Sequence, residues 1–369
     1  MKTLFIITGL GMGGAERQVC DLADALANGG HKVTVVALTG NIETAPAAAE
    51  VEIIALRMQK TLSGFLQAMS KLRKIVLEKQ PDAVHAHMFH ANIMARLLRL
   101  SGAKIPRLIC TAHSSNEGGS LRMLAYRLTN FLSDFNTNVS QEAVDAFVAK
   151  KAFRQGQLLA MPNGIDTDKF KKILTQSDIN ALRNTLGITA QHFCFIAIGR
   201  LHEAKDYPNL LAAFHALVQQ QPHARLLIVG AGSLECELKQ LCITLGLQAH
   251  CQFLGLRTDI AALLNAANVF VLSSRYEGFS LVVGEAMACE KPVVATDCGG
   301  VREFLGGNGF LVPPQNPHAL AQAMQQCMKL TSEARLQMGA ASRKHIESSF
   351  SLKSVAAKWL KIYQCPRSL

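Results

Sequence analysis

Charged residues are scarce in this chain. Only 18% of its 369 residues are Asp, Glu, Lys or Arg, against 49% apolar, which excludes a disordered protein and leaves a well-packed globular enzyme. Long apolar runs are absent as well: no stretch approaches the roughly 20 residues of a membrane-spanning helix. The N-terminal "TLFIITGLGMGGA" is too short for a secretory signal, and Glu16 and Arg17 arrive where a cleavage region is small and neutral. It reads as a buried first strand. Low-complexity tracts and C-x-x-C pairs are also lacking. The ten cysteines are scattered, and Cys194, Cys251 and Cys289 sit inside strand or helix patterns as small apolar residues. That usage excludes a disulfide framework and points to a reducing compartment, the cytoplasm.

What the chain does have is a rhythm. The strand-like "TLFIITGL" is followed by "AERQVCDLADALANGG", which has helical spacing and a Gly-Gly stop. "HKVTVVAL", "DAVHAHM" and "RLICTAH" are further strands with helical segments between them. Past the middle the rhythm restarts with "FCFIAIGRL", "ARLLIVGAG", "CQFLG", "VFVLSS" and "KPVVATD". This is the βαβ pattern of a parallel sheet covered by helices on both faces, and the length calls for two such domains. The predicted division is an α/β, doubly wound unit over 1–165 and a second over 166–350. The turn chemistry of "MPNGIDTDKF" joins them. Residues 351–369 are expected to form a last amphipathic helix that crosses back to the first domain.

The net charge of +11 is concentrated. Between Arg57 and Arg107 stand ten Lys or Arg and only two acids, Glu78 and Asp82, which suits an anionic surface or a solvated helix face. In "SGFLQAMSKLRKIVLEK", Phe65, Met69, Leu72 and Val76 fall along one side, flanked by Lys71, Arg73 and Lys74. Such a stripe rests on an anionic bilayer or packs into a core.

Gly9, Gly11 and Gly14 have the order G-x-G-x-x-G. A dinucleotide site also needs an acid at the end of the second strand, to hold the adenine ribose. That strand ends in Leu38, Thr39 and Gly40, and the nearest acid, Glu43, lies outside it. What survives is simpler: Gly13 and Gly14 precede a helix, whose free N–H groups can face an anion without side-chain obstruction.

The second half holds "SSRYEGFSLVVGEAMACEKPVVATDCGG". Glu277 and Glu285 are eight apart, and Gly278, Phe279 and Ser280 between them open a helix. Backbone N–H groups of Ser280, Leu281 and Val282 can hold a phosphate there. Glu285, two turns on, can accept hydrogen bonds from ribose hydroxyls. Arg200 follows a strand directly and Lys205 comes five residues later, in the region where parallel α/β sheets bind ligands. Together they can neutralise a diphosphate.

The combination GGAE, TAH, PNGID, GRL-x3-K, VGAG and E-x7-E, in that order from Gly13 to Gly300, resembles glycosyltransferase family 4. These are retaining enzymes of GT-B architecture, in which two Rossmann-like domains face each other across a cleft. The resemblance implies a nucleotide-sugar donor, most often a UDP-sugar, in the C-terminal domain and the acceptor mainly on the N-terminal one. Glu285 resembles the ribose-binding glutamate and Glu277 the residue facing the donor sugar. Arg200 and Lys205 match the pair that stabilises the departing diphosphate, and Gly14 would approach that diphosphate from the other domain. His113 matches the histidine near the reacting sugar. The implied acceptor is a lipid-linked glycan of surface-polysaccharide or O-antigen assembly, which puts the enzyme in the cytoplasm, at the inner face of the bacterial membrane. One departure stands out: the family commonly has Gly after the phosphate lysine, whereas here Asp206 follows and could pair with Lys205.

Other signals weigh less. Asp166 and Asp168 have the D-x-D form of a metal site but lie in turn chemistry, where Asp caps a turn. His85, His87 and His90 lack the Glu or Cys that would complete a zinc set. Neither a metal nor a cofactor is therefore expected, and nucleic-acid binding would leave every motif but the basic patch unused. A UDP-sugar 2-epimerase of the same fold and a non-catalytic nucleotide-sugar-binding protein are the alternative readings.

Overall fold

The computed structural model, which describes residues 1–365, arranges its strands in two all-parallel sheets. Each belongs to one compact unit: the first comprises Met1–Gly164 with the segment from Leu352 onward, the second Ile165–Ser351. Residues 366–369, the end of the segment expected to carry the last helix, lie outside the described residues.

The first unit opens with β1 (Lys2–Ile7), α1 (Gly14–Asn28), β2 (Lys32–Ala37) and β3 (Glu52–Ala55). It continues through α2 (Leu62–Lys79), β4 (Ala83–His87), α3 (Phe89–Leu100), β5 (Leu108–Ala112) and α4 (Ser120–Thr129). After them come β6 (Phe135–Asn138), α5 (Gln141–Ala149) and β7 (Leu159–Ala160). The sheet order is β3-β2-β1-β4-β5-β6-β7, so the winding reverses between β1 and β4. Both faces of β1 are covered: Leu4 and Ile6 enter one core cluster, Phe5 and Ile7 the other. That is why the strand reads as an unbroken apolar run, without alternation.

The second unit holds α6 (Gln176–Thr185), β8 (Phe193–Ile198), α7 (Tyr207–Val218), β9 (Ala224–Val229), α8 (Glu235–Thr244) and β10 (Cys251–Phe253). Next are α9 (Ile260–Ala266), β11 (Val269–Leu272), α10 (Leu281–Ala288), β12 (Val293–Thr296), α11 (Val301–Leu305) and β13 (Phe310–Val312). Helices α12 (Pro317–Lys329) and α13 (Ser332–Ser349) complete it. The order β10-β9-β8-β11-β12-β13 again reverses beside its first strand, the doubly wound arrangement whose ligand crevice lies at the strands' carboxyl ends. The last helix, α14 (Leu352–Gln364), belongs to the first unit, where Val355, Ala356, Trp359 and Tyr363 join the core around Phe5 and Ile7.

Two expectations about the basic region change. The stripe on α2 is core packing: Leu72 and Val76 are buried, and the partly buried Phe65 and Met69 lie against the same cluster. Part of the concentration of cations is spent within the fold, while Arg57, Lys60, Lys71, Arg73, Lys74 and Lys104 stay exposed. Arg96 is fully buried and donates to Asn136 Oδ1 (2.6 Å) and Thr129 Oγ1 (2.9 Å). Arg99 pairs with Asp134 at 2.7 Å, Lys79 with Glu52 at 2.5 Å, and the buried Arg107 lies over the Phe135 ring. Among the described residues no helix is long and apolar enough to cross a membrane.

Candidate active site

In the first unit the glycine turn leaves β1 and opens α1. Gly13 is the residue before the helix, extended at φ −152°, and the Glu16 carboxylate lies beside it, 2.3 Å from where a Gly13 Cβ would stand. The turn leans on the segment after β2: Thr39 Oγ1 donates to the Thr8 carbonyl at 2.7 Å, and Thr44 Oγ1 to that of Gly11 at 2.9 Å. The backbone N–H groups at this helix start therefore meet no side chain of the cap residue.

His113 follows β5 directly. Its backbone N–H donates to Glu117 Oε1 (2.9 Å), and its ring Nε2 shares a hydrogen bond of 3.0 Å with His87 Nδ1 at the end of β4. Nδ1 of His113 has no hydrogen-bond partner among the described residues. Behind His87 the buried His85 ring lies 3.9 Å away, centroid to centroid. His85 Nε2 shares 2.6 Å with Thr111 Oγ1, and its Nδ1 shares 2.7 Å with Tyr363 OH from α14. Burial holds all three imidazoles neutral: His113 is pushed down to about 4, and His85 and His87 well below the usual value. Glu117 is pushed up by burial although it accepts a 2.5 Å hydrogen bond from Tyr126 OH.

In the second unit the expected residues collect at the carboxyl ends of β8, β11 and β12. Lys205 Nζ lies 2.5 Å from Glu277 Oε1, which also accepts from Ser274 Oγ at 2.6 Å. Arg200 is exposed, and no side-chain hydrogen bond or ion pair is formed by it among the described residues. The loop carrying Glu277 is clamped at four points. Ser273 Oγ donates to the Lys205 carbonyl (2.8 Å) and the Arg275 N–H to that of Ala204 (2.9 Å). Thr296 Oγ1 donates to the Ser274 carbonyl (2.7 Å) and the Gly300 N–H to that of Gly278 (3.3 Å). Gly299, at φ +58°, fits because any Cβ there would lie 2.5 Å from the Glu277 carbonyl oxygen. The two glycines of VGAG are equally constrained, since a Cβ on Gly230 or Gly232 would come within 2.0 or 2.3 Å of the Gly199 or Leu201 carbonyl oxygen.

Helix α10 starts immediately after this loop. Ser280 stands at its cap position without a side-chain cap bond, so the N–H groups of the first turn (Leu281 and Val282 among them) have no partner within the helix. Phe279 is buried on the Phe304 ring, 4.1 Å between centroids. Glu285, one turn into α10, is only 2% exposed.

The model of Glycosyltransferase Family 4 matches residues 12–169 and that of Glycosyl transferases group 1 matches 178–345. A Bacillus subtilis protein, the putative glycosyltransferase EpsD, is 30% identical over 73% of this chain and 75% of its own length. The chain belongs to glycosyltransferase family 4.

This glycosyltransferase is also 27% identical to an Escherichia coli UDP-Gal:alpha-D-GlcNAc-diphosphoundecaprenol alpha-1,3-galactosyltransferase, over 67% of this chain and 66% of the relative. Among solved structures, Anabaena HepE in complex with UDP superposes with a TM-score of 0.83 at 25% identity, covering 98% of this chain and 99% of HepE. The two doubly wound units are those of the GT-B fold.

The structure redirects one expectation about the family's pattern. Asp206 does not pair with Lys205. Its carboxylate meets Arg275 (Nε to Oδ2 3.1 Å), while Lys205 turns to Glu277. Asp206 sits at φ +46°, the left-handed conformation that a glycine adopts freely and that Asp tolerates better than most residues. The Asp166 carboxylate accepts the N–H groups of Asp168 and Lys169, both at 3.0 Å, so the D-x-D stretch is a turn cap. Among the described residues no group of three or more His, Cys, Asp or Glu is placed to hold a metal ion. Sequence reasoning missed His87 as the partner of His113, and Glu117 and Tyr363 altogether. The strand-end histidine pattern "VHAH" was the available signal, because residues two apart on a strand share a face.

Proposed function

We propose that this glycosyltransferase moves a sugar, with retention at the anomeric carbon and without a metal ion, from a UDP-sugar to a lipid-linked glycan. In this reading it works in the cytoplasm, at the inner face of a bacterial membrane. The observation that carries it is the set of groups at the carboxyl ends of β8 and β11: exposed Arg200, the Lys205–Glu277 pair and the uncapped start of α10. As the bond to phosphate breaks through an oxocarbenium-like transition state, negative charge grows on the diphosphate. Fixed cations and helix N–H groups then stabilise the transition state more than the ground state. Arg200 presents a planar fork and Lys205 a point charge, while the N–H groups of Ser280, Leu281 and Val282 face a phosphate oxygen. Glu277 serves the sugar and Glu285 the ribose. In the first unit Gly13, Gly14 and His113 keep the roles that the resemblance implies. A neutral His113 suits a hydrogen-bond partner of a sugar hydroxyl, not a cation. The HepE complexes with UDP and with UDP-glucose support the donor, and the name of the Escherichia coli relative supports a diphosphate-lipid acceptor.

The test is thermal stabilisation by a panel of UDP-, GDP- and ADP-sugars and NAD, each with and without EDTA. Selective stabilisation by a UDP-sugar, unchanged by EDTA, is the expected result. A shift with NAD alone would sink the reading. Turnover of the donor to an epimerised sugar without any acceptor would make the protein a 2-epimerase instead.

A further inference from the structure

His113 is the first residue beyond β5, and the pairing of that strand with β6 ends one residue earlier, at Ala112 opposite Asn138. The backbone N–H of His113 goes instead to Glu117, four residues on, whose Oε1 accepts it at 2.9 Å. The other carboxylate oxygen, Oε2, accepts from Tyr126 OH at 2.5 Å, and that hydroxyl in turn accepts from Asn92 Nδ2 at 3.1 Å. Asn92 closes the circuit, because Nδ2 also donates to the Thr111 carbonyl at 3.0 Å. A ring of hydrogen bonds therefore starts and ends on one strand end, at Thr111 and His113, and runs through α3, α4 and the loop after β5. Asn92 and Tyr126 are both buried, so the ring is anchored in the core. Both oxygens of Glu117 act as acceptors, an arrangement that a carboxylate offers in full and a carboxamide at one end only.

The rest of the loop is fastened by its carbonyls. Asn138 Nδ2 donates to that of Ser114 at 3.1 Å, Lys150 Nζ to that of Ser115 at 3.0 Å, and the Arg122 guanidinium to that of Glu117 at 2.8 Å. His113 itself is gripped twice, by Glu117 at the backbone and by His87 at the ring. We propose that Glu117 is a positioning residue for the transfer: its carboxylate fixes the backbone of His113, so that the imidazole meets the donor sugar in place and without rearrangement. Glu117 touches no reacting atom and acts through His113. What the role requires is an acceptor oxygen at the reach of a glutamate, not a charge. The proposal rests on the reading of His113 as a contact of the donor sugar.

The hold is read first without any donor, as hydrogen exchange at the His113 amide of the full chain. E117D, whose side chain is one methylene too short, should exchange at least about tenfold faster than the wild type, and E117Q, which keeps an acceptor oxygen at the right reach, at nearly the wild-type rate. Exchange that is unchanged in E117D overturns the proposal whatever the substrate. The consequence is read as UDP released from each UDP-sugar of the panel. E117D should lower kcat roughly tenfold or more with donor KM nearly constant, and E117Q less than about threefold. An electrostatic role for Glu117 predicts the reverse order of the two variants, and that order overturns the proposal. In the H113A background, E117D should cost less than about a further twofold, because the residue it acts through is gone. A full additional loss there would mean that Glu117 works by another route, and overturns it as well. H113A with the kcat of the wild type sinks the reading of His113 and takes the proposal with it. A wild type that turns over no UDP-sugar sinks the donor reading and the kinetic half of the proposal, whereas the amide exchange judges the hold by itself.

Discussion

Asp206 offers the sharpest test of how the second unit holds Lys205. It is 3% exposed, sits at φ +46° and pairs with Arg275, whose side chain is 45% exposed. Asp206→Ala keeps a Cβ in left-handed backbone, which disfavours Ala by roughly 1 kcal/mol. It also removes an ion pair worth at most about 1 kcal/mol, because the Arg275 end rehydrates. The sum is about 2 kcal/mol. Asp206→Gly loses the same pair and gains unfolded-chain entropy of roughly 0.5–1 kcal/mol but carries no left-handed strain, a cost of about 1.5–2 kcal/mol. For a unit of this size each kcal/mol lowers the thermal midpoint by about 2–4 °C, so the shift of Gly should not exceed that of Ala. Donor KM should change less than about twofold in both variants, since Lys205 is engaged by Glu277 at 2.5 Å. Calorimetry and initial-rate kinetics on the same preparations read both quantities. A donor KM that falls several-fold in Asp206→Gly would mean that Asp206 competes for Lys205 after all. A glycine variant less stable than the alanine one would refute the conformational argument.

Three further outcomes are expected. His113 has a folded pKa of about 4 against an ordinary 6.5, so its contribution to stability is fully present above pH 6.5. It is lost as pH falls toward 4, amounting to about 3 kcal/mol. Urea midpoints across that window should flatten in His113→Asn, and an unchanged slope would contradict the burial of a neutral ring. His87→Phe keeps a ring but removes the hydrogen bond to His113; kcat should fall roughly three- to tenfold with donor KM nearly constant, and a pure rise in KM would reassign His87 to binding. Gly230→Ala forces a Cβ within 2.0 Å of the Gly199 oxygen at φ +136°, which should destabilise by about 3–5 kcal/mol; a midpoint within a degree or two of wild type would mean that the β8–β9 approach is pliable.

Most strands that sequence reading found have both faces buried, the short β10 being an exception. β1, β2, β8 and β9 announce themselves as apolar runs because neither face needs a polar residue. β6 stayed hidden because its sequence is Phe-Asn-Thr-Asn, though Asn136, Thr137 and Asn138 are all buried. Their polar groups are satisfied by Arg96, Thr111 and the Ser114 carbonyl, partners that no local pattern reveals. The short β3, β7 and β13 stayed hidden for another reason: with two to four mostly apolar residues each, they are too brief to show a pattern. At the site, Arg200 and Lys205 were legible because they stand at fixed offsets from a strand end. The His85–Tyr363 contact was not, since 278 residues separate its members. The charge count is coarse for a related reason: it counts the wholly enclosed Arg96 together with the exposed Arg57, Lys60, Lys71, Arg73, Lys74 and Lys104.

The first unit is not a continuous piece of chain. Its core is closed by Trp359 and Tyr363, which leave the ribosome only after all of the second unit has been made. The nascent first unit must therefore wait, with Phe5, Val19 and Leu22 partly uncovered and His85 lacking one of its two partners, while a whole second domain is synthesised and free to fold. Completion of the first unit is thus a report that translation has passed the second. A chain stopped short of α14 leaves apolar surface of the first unit uncovered, the kind of surface that chaperones and proteases engage, so an unfinished chain is marked for removal.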